Sequence, residues 1–176
     1  TRVLLRTLHR LRIPTLLFVN KIDRAGAREA GVLAEIAARL TPAIVPLSRV
    51  HDPGSRAARV TALRPALDVL AEHDETLLAA YVENRPADPA PALRRQTRAA
   101  LVHPVFFGSA ITGAGIGELI GGITTLLPPP DPPVDGPASG TVFKVDRGPA
   151  GEKLAYVRMF AGALHTREQV GADKVT

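Results

Sequence analysis

Two short apolar runs constrain this chain more than any other feature. Thr15 to Val19 (TLLFV) and Pro104 to Phe107 (PVFF) are almost continuously apolar, and turn residues bound both. A strand with one wet face alternates. A run without alternation fits a strand buried on both faces, as in a parallel sheet covered by helices. Helical periodicity surrounds the two runs. It predicts helices over 2–12 and over 27–40, the latter with Val32, Ile36 and Leu40 at spacing four. Further helices are expected over one or two stretches of 57–85 (Glu75 to Val82 is the clearest), over 92–101, and in a segment ending at Leu127. Ile13-Pro14 stops the first helix, because the residue before proline avoids the helical region. Residues 43–48 (AIVPLS) form a weak strand that Pro46 confines to an edge. His51 to Ser55 reads as a loop and Pro86 to Pro91 as a turn. The class is α/β.

The chain divides at residues 128–137 (PPPDPPVDGP), where six of ten residues are proline. Such a stretch is stiff and extended and joins neither sheet nor helix. The expected organisation is a first domain over 1–127, a linker over 128–137 and a β-rich domain over 138–176. In the last, Gly140 to Val145 and Lys153 to Phe160 alternate in strand fashion around Arg147 to Gly151, and Gly162-Ala163-Leu164 leads toward another strand. Thr1 opens the inside of a helix, so a piece cut from a longer chain is expected.

With 45% hydrophobic residues the chain can bury a core, and no apolar run approaches the roughly 20 residues of a membrane span. There is no cysteine, which excludes disulfide scaffolds, thiol catalysis and cysteine–zinc sites and fits a cytoplasmic location. The net charge of +5 is uneven: residues 1–24 contribute +5, 25–137 contribute −2 and 138–176 contribute +2. Arg2, Arg6 and Arg10 recur every four residues opposite Leu4, Leu8 and Leu11, as on an amphipathic helix. That basic face is either solvated or a contact for phosphate or RNA. The seven aromatics are scattered and form no base-stacking platform.

The chemistry concentrates where the first apolar run ends, at Asn20-Lys21-Ile22-Asp23. Ligands of open α/β sheets bind at the carboxyl ends of the strands. An ionised Asp offers two acceptor oxygens and no donor, which matches the paired N1–H and N2–H donors of guanine. Adenine lacks that donor pair, so such a site discriminates strongly. The Lys21 stem can lie over the base, and Asn20 can hold the loop or reach the base edge. The second run ends in Gly108-Ser109-Ala110, a small-residue turn whose backbone N–H can approach the guanine O6.

These stretches resemble the translational GTPase family related to elongation factor G. The resemblance rests on Ile13-Pro14-Thr15 leading into FVNKIDRAGA (18–27), on HPVFFGSAITGAGIGELI (103–120) and on LLPPP (126–130). It implies a partial P-loop-GTPase-type parallel sheet followed by the first strands of a β-barrel domain. It also implies guanine-binding roles for Asn20, Lys21, Asp23, Ser109 and Ala110, with GTP or GDP as ligand and Mg²⁺ in the intact protein. Ile111 stands where many small G proteins have Lys and receives no role. Residues 42–98 resemble a shortened form of the insert that enlarges the nucleotide domain of elongation factor G. The tail (VFKV, KLAYVR, GAL and TREQV) resembles the ribosomal-protection tetracycline-resistance branch. The implied activity is ribosome-dependent GTP hydrolysis that dislodges tetracycline. The alternatives are a translocation factor and a non-hydrolysing interaction module.

Other candidates carry less. None of Lys21, Lys144, Lys153 and Lys174 follows a glycine, so the Gly-x-x-x-x-Gly-Lys-Ser/Thr phosphate loop is absent from these residues. The expectation is no catalytic residue, no metal ligand, and no hydrolysis by this stretch alone. Asp23 to Gly26 is an accidental Asp-x-x-Gly. His9, His51, His73, His103 and His165 show no metal-ligand spacing. Gly113-x-Gly115-x-Gly117 misses the dinucleotide fingerprint by one residue. His73-Asp74-Glu75 reads as a charged helix face. A sheet edge beside TLLFV is expected to be open to self-association.

Overall fold

The computed structural model describes residues 1–129, 134–170 and 173–174, which divide into two units, Thr1–Pro129 and Pro130–Thr176. The first unit begins with helix α1 (Arg2–Arg10), strand β1 (Leu17–Val19), helix α2 (Glu29–Arg39) and strand β2 (Ile44–Pro46). An antiparallel hairpin follows, β3 (Ser48–His51) with β4 (Arg59–Ala62). Helices α3 (Leu67–Ala71), α4 (Glu75–Val82) and α5 (Ala90–Arg98) lead to strand β5 (His103–Phe107) and helix α6 (Ile116–Leu126).

The three-stranded sheet runs β1-β5-β2, with both pairings parallel. β5, the central strand, is buried at every residue. Its side chains alternate between two cores, as the pleat requires. Phe106 packs with Val45, Leu70, Leu77, Leu93 and Val102. Val105 and Phe107 pack on the other face with Ile22, Ile44 and Ala58. β1 is half-buried rather than buried on both faces, because it ends the sheet. β2 ends it on the other side, where Pro46 lacks a donor. Beyond β2 the Ser48 hydroxyl accepts the Phe107 N–H at 2.9 Å.

The one or two helices expected within 57–85 are α3 and α4, and residues 59–62 ahead of them form a strand, because Val50 and Val60 face one another across a turn at Asp52-Pro53-Gly54. Two expectations are corrected here. The buried position of α1 is Leu5, while Leu4 and Leu11 are 64% and 58% exposed, so the apolar stripe of this helix is not the one its spacing suggests. Asp74 is the N-cap of α4, accepting the Leu77 N–H at 3.0 Å and pairing with Arg95, rather than one charge on a helix face.

The second unit contains strands β6 (Ser139–Arg147) and β7 (Lys153–Ala161), which pair antiparallel from Arg147↔Lys153 toward Ser139↔Ala161. The strand anticipated near Gly162–Leu164 begins later, as β8 (Gln169–Val170), paired with β9 (Asp173–Lys174). Gly162 is in a left-handed turn with φ +60. Part of the proline run, 130–133, lies outside the described residues. No helix among the described residues is long and apolar enough to cross a membrane.

His103, at the start of β5, is 1% exposed. Burial holds its imidazole below the ordinary 6.5; the charge of His9 acts in the same direction and the Thr15 backbone in the other. A depressed folded pKa means that protonation favours the unfolded chain. The stabilising contribution is therefore present above the unfolded value and lost as pH falls below it. We expect the urea midpoint to drop between about pH 7 and pH 5, and His103→Leu to flatten that slope. An unchanged slope in the variant would assign the acid sensitivity elsewhere.

Candidate functional site

β1 and β5 run parallel in the register Leu17↔Val105, Phe18↔Phe106, Val19↔Phe107, so their carboxyl ends lie side by side. Asn20-Lys21-Ile22-Asp23 leaves one strand and Gly108-Ser109-Ala110 the other. The backbone stitches them: the Gly108 N–H donates to Val19 O at 3.0 Å, and the Ile22 N–H to Gly108 O at 3.2 Å. The Asn20 Oδ1 then accepts two N–H groups, from Lys21 at 2.7 Å and from Ala110 at 3.0 Å. Asn20 is thus the tie between the loops. The Ala110 N–H is engaged in that tie.

Ser109 is 1% exposed and supports the second loop with every polar group it has. Its N–H donates to Ala114 O at 2.8 Å, its carbonyl accepts the Gly113 N–H at 2.9 Å, and its hydroxyl accepts the Thr112 N–H at 3.2 Å. The hydroxyl proton turns to Asp23. That bond is the main cause holding the Asp23 carboxyl below its ordinary value, against burial, with its own backbone and the charges of Arg24 and Arg56 adding to it. Asp23 is accordingly an ionised, acceptor-only group. Its Oδ1 is shielded from solvent and has no hydrogen-bond partner among the described residues. An orphaned carboxylate oxygen is costly until a donor reaches it. Lys21 is exposed, with φ +72, a conformation that turns the chain sharply after Asn20.

The glycines have structural tasks here. A Cβ on Gly108 would lie 2.4 Å from the Ala114 carbonyl oxygen and 2.8 Å from the Phe18 ring. Gly115 caps α6 with φ +76, and a Cβ there would lie 2.1 Å from the Phe107 carbonyl oxygen. The Gly113-x-Gly115-x-Gly117 spacing is therefore a strand-to-helix turn, and Gly115 is the position where it packs on β5 and no side chain fits.

All five candidate residues sit at this one end of the sheet. Sequence reasoning missed the hairpin turn at 52–58, which lies against the first loop. Its signal was Asp52-Pro53-Gly54 between Val50 and Val60, a turn flanked by β-branched residues. Among the described residues no group of three or more His, Asp or Glu could hold a metal ion.

Residues 1–129 match the elongation factor Tu GTP binding domain family. The chain belongs to this family. Relatives of this GTP-binding domain carry it within much longer proteins. The chain is 50% identical, over 99% of its length, to the oxytetracycline resistance protein of Streptomyces rimosus. It is 45% identical, over 97% of its length, to the tetracycline resistance protein TetM of Streptomyces lividans. It is 36% identical, over 97% of its length, to the tetracycline resistance protein TetP of Clostridium perfringens. The chain spans 28% of the length of each of these three. The crystal structure of ttk003000868 from Thermus thermophilus matches with a TM-score of 0.63 and 24% identity. That match covers 93% of this chain and 30% of the other, and shows the shared fold.

Proposed function

We propose that these residues are the guanine-recognising part of a ribosome-dependent translational GTPase that protects the ribosome by dislodging tetracycline. The observation that carries the reading is the paired loop, with Asn20 tied to Ala110 and Asp23 kept ionised by Ser109. In this reading the Asp23 carboxylate accepts the N1–H and N2–H of guanine, and the orphaned Oδ1 supplies the acceptor the structure leaves without a donor. The Lys21 stem covers the base. Asn20 fixes the spacing of the two loops, and Ser109 fixes the charge and orientation of Asp23. The resistance function is supported by the names of the relatives, whose identity extends into residues beyond the matched domain.

Phosphate chemistry belongs elsewhere. These residues contain no phosphate loop, and the described ones offer no metal cluster, so we assign Mg²⁺ and the reacting phosphate to other parts of the intact protein. The chain alone is then expected to bind weakly and not to hydrolyse. The proposed organisation is a partial GTP-binding domain over 1–127 with a shortened insert near 42–98, a linker over 128–137 and the start of a barrel domain over 138–176. The proposed location is the cytoplasm, where ribosomes are.

The test is release of labelled tetracycline from ribosomes by the full-length protein with GTP. Release on GTP addition is expected. Ribosome-stimulated hydrolysis without release, together with translocation activity, would replace this reading with an elongation factor G-type factor. A product with neither activity would point to an interaction module.

The outer edge of β1 has no strand partner among the described residues. We propose that the isolated chain pairs there with a second copy. Light scattering should show mass rising with concentration; a constant monomer mass would refute it.

A further inference from the structure

We infer that the turn of the β3–β4 hairpin, residues 52–58, positions the base-reading loop, with Gly54 and Ser55 as its positioning residues. This inference rests on reading Asn20 to Asp23 as that loop. The Gly54 N–H donates to the Ile22 carbonyl at 2.8 Å, between Lys21 and Asp23. A Cβ on Gly54 would lie 3.5 Å from the Arg24 carbonyl oxygen and 3.7 Å from both the Ala25 Cα and the Gly26 nitrogen. The turn backbone therefore lies directly against the backbone of residues 24–26. From below, Ile22 is 3% exposed and shares its cluster with Ala58, Val50 and Val60. A further tie follows at the start of α2, where Glu29 Oε2 accepts the Val50 N–H at 2.7 Å.

The hairpin is braced well enough to serve as a support. The Ser55 hydroxyl donates to Asp52 O at 3.0 Å, the Ala58 N–H donates to Ser55 O at 3.1 Å, and Arg59 pairs with Asp52 across the turn. The loop it supports has no regular secondary structure of its own over residues 20–23. Directional hydrogen bonds to a base need their acceptors held within about half an ångström. The hairpin supplies that constraint from the side of the loop away from β5.

The experiment compares GDP and IDP binding to the full-length protein by competition. IDP lacks the 2-amino group and forgoes one donor to Asp23, so the GDP-to-IDP affinity ratio reads the orientation of that carboxylate. A loss of folded protein lowers binding of both and leaves the ratio alone. Gly54→Val, which puts a β-branched residue at a backbone φ of +86 and so strains the turn, is expected to narrow the ratio roughly fivefold or more. Ser55→Ala, which removes the exposed hydroxyl that braces the turn to Asp52, should narrow it about twofold to threefold and keeps the test alive if the glycine variant does not fold. Asp23→Asn serves as the control. An unchanged ratio in the hairpin variants, with the ratio collapsed in Asp23→Asn, overturns the hairpin inference and leaves the base-reading assignment standing. An unchanged ratio in Asp23→Asn overturns the assignment, and the inference with it.

Discussion

Asp23→Asn in the full-length protein lowers GTP affinity by roughly a hundredfold or more and moves preference toward XTP. The size follows from chemistry on both sides of the contact. Guanine presents two donors, and the carboxylate answers with two acceptors held ionised by the Ser109 hydroxyl and nearby arginines. An amide keeps one acceptor and turns a donor toward the guanine amino group, so one bond is lost and one contact becomes repulsive. Xanthine carries a carbonyl at that position and accepts the new donor. Competition binding with GTP, XTP and ATP reads all of this at once. Retained GTP preference in a folded variant would remove Asp23 from the site.

Phe107→Ala destabilises the first unit by about 4 kcal/mol, a large share of the ~5–15 kcal/mol typical of a folded domain. Phe107 is 2% exposed on the central strand, packed among Ile22, Ile44, Ala58 and Val105. Truncation leaves a cavity that the strand cannot close, because β1 and β2 pin β5 on both sides. Phe107 also stands directly before Gly108 and packs on Ile22, so the same change loosens both loops of the site. The expected signature is a lower urea midpoint with an unchanged m-value. A loss under about 1 kcal/mol would mean that the two clusters do not form one cooperative core.

Much of the site was legible because its signals are local. A run such as PVFF followed by Gly-Ser-Ala, and TLLFV followed by Asn-Lys-Ile-Asp, carries strand, strand end and loop in nine or fewer consecutive residues. What was not legible depends on contacts between distant residues. The Asn20 side chain reaches the Ala110 N–H across 90 positions, a tie that no local signal announces. Arg59-Val60-Thr61-Ala62 is four residues, too short to show a period. It becomes a strand only because Ser48 to His51 lies opposite. In α1 the leucines occupy several stripes, and only the packing against the rest of the unit selects Leu5 over Leu4. The burial of β1 was overestimated for the same reason: an apolar run reveals a preference for burial, while its place in the sheet order decides how much it receives.

The most direct test of the account is tetracycline release from ribosomes by the full-length Asp23→Asn variant, with GTP and then with XTP. The account predicts that the wild-type protein releases drug with GTP, and that the variant loses this release and recovers it with XTP. Release by the variant that persists with GTP and gains nothing from XTP would contradict it.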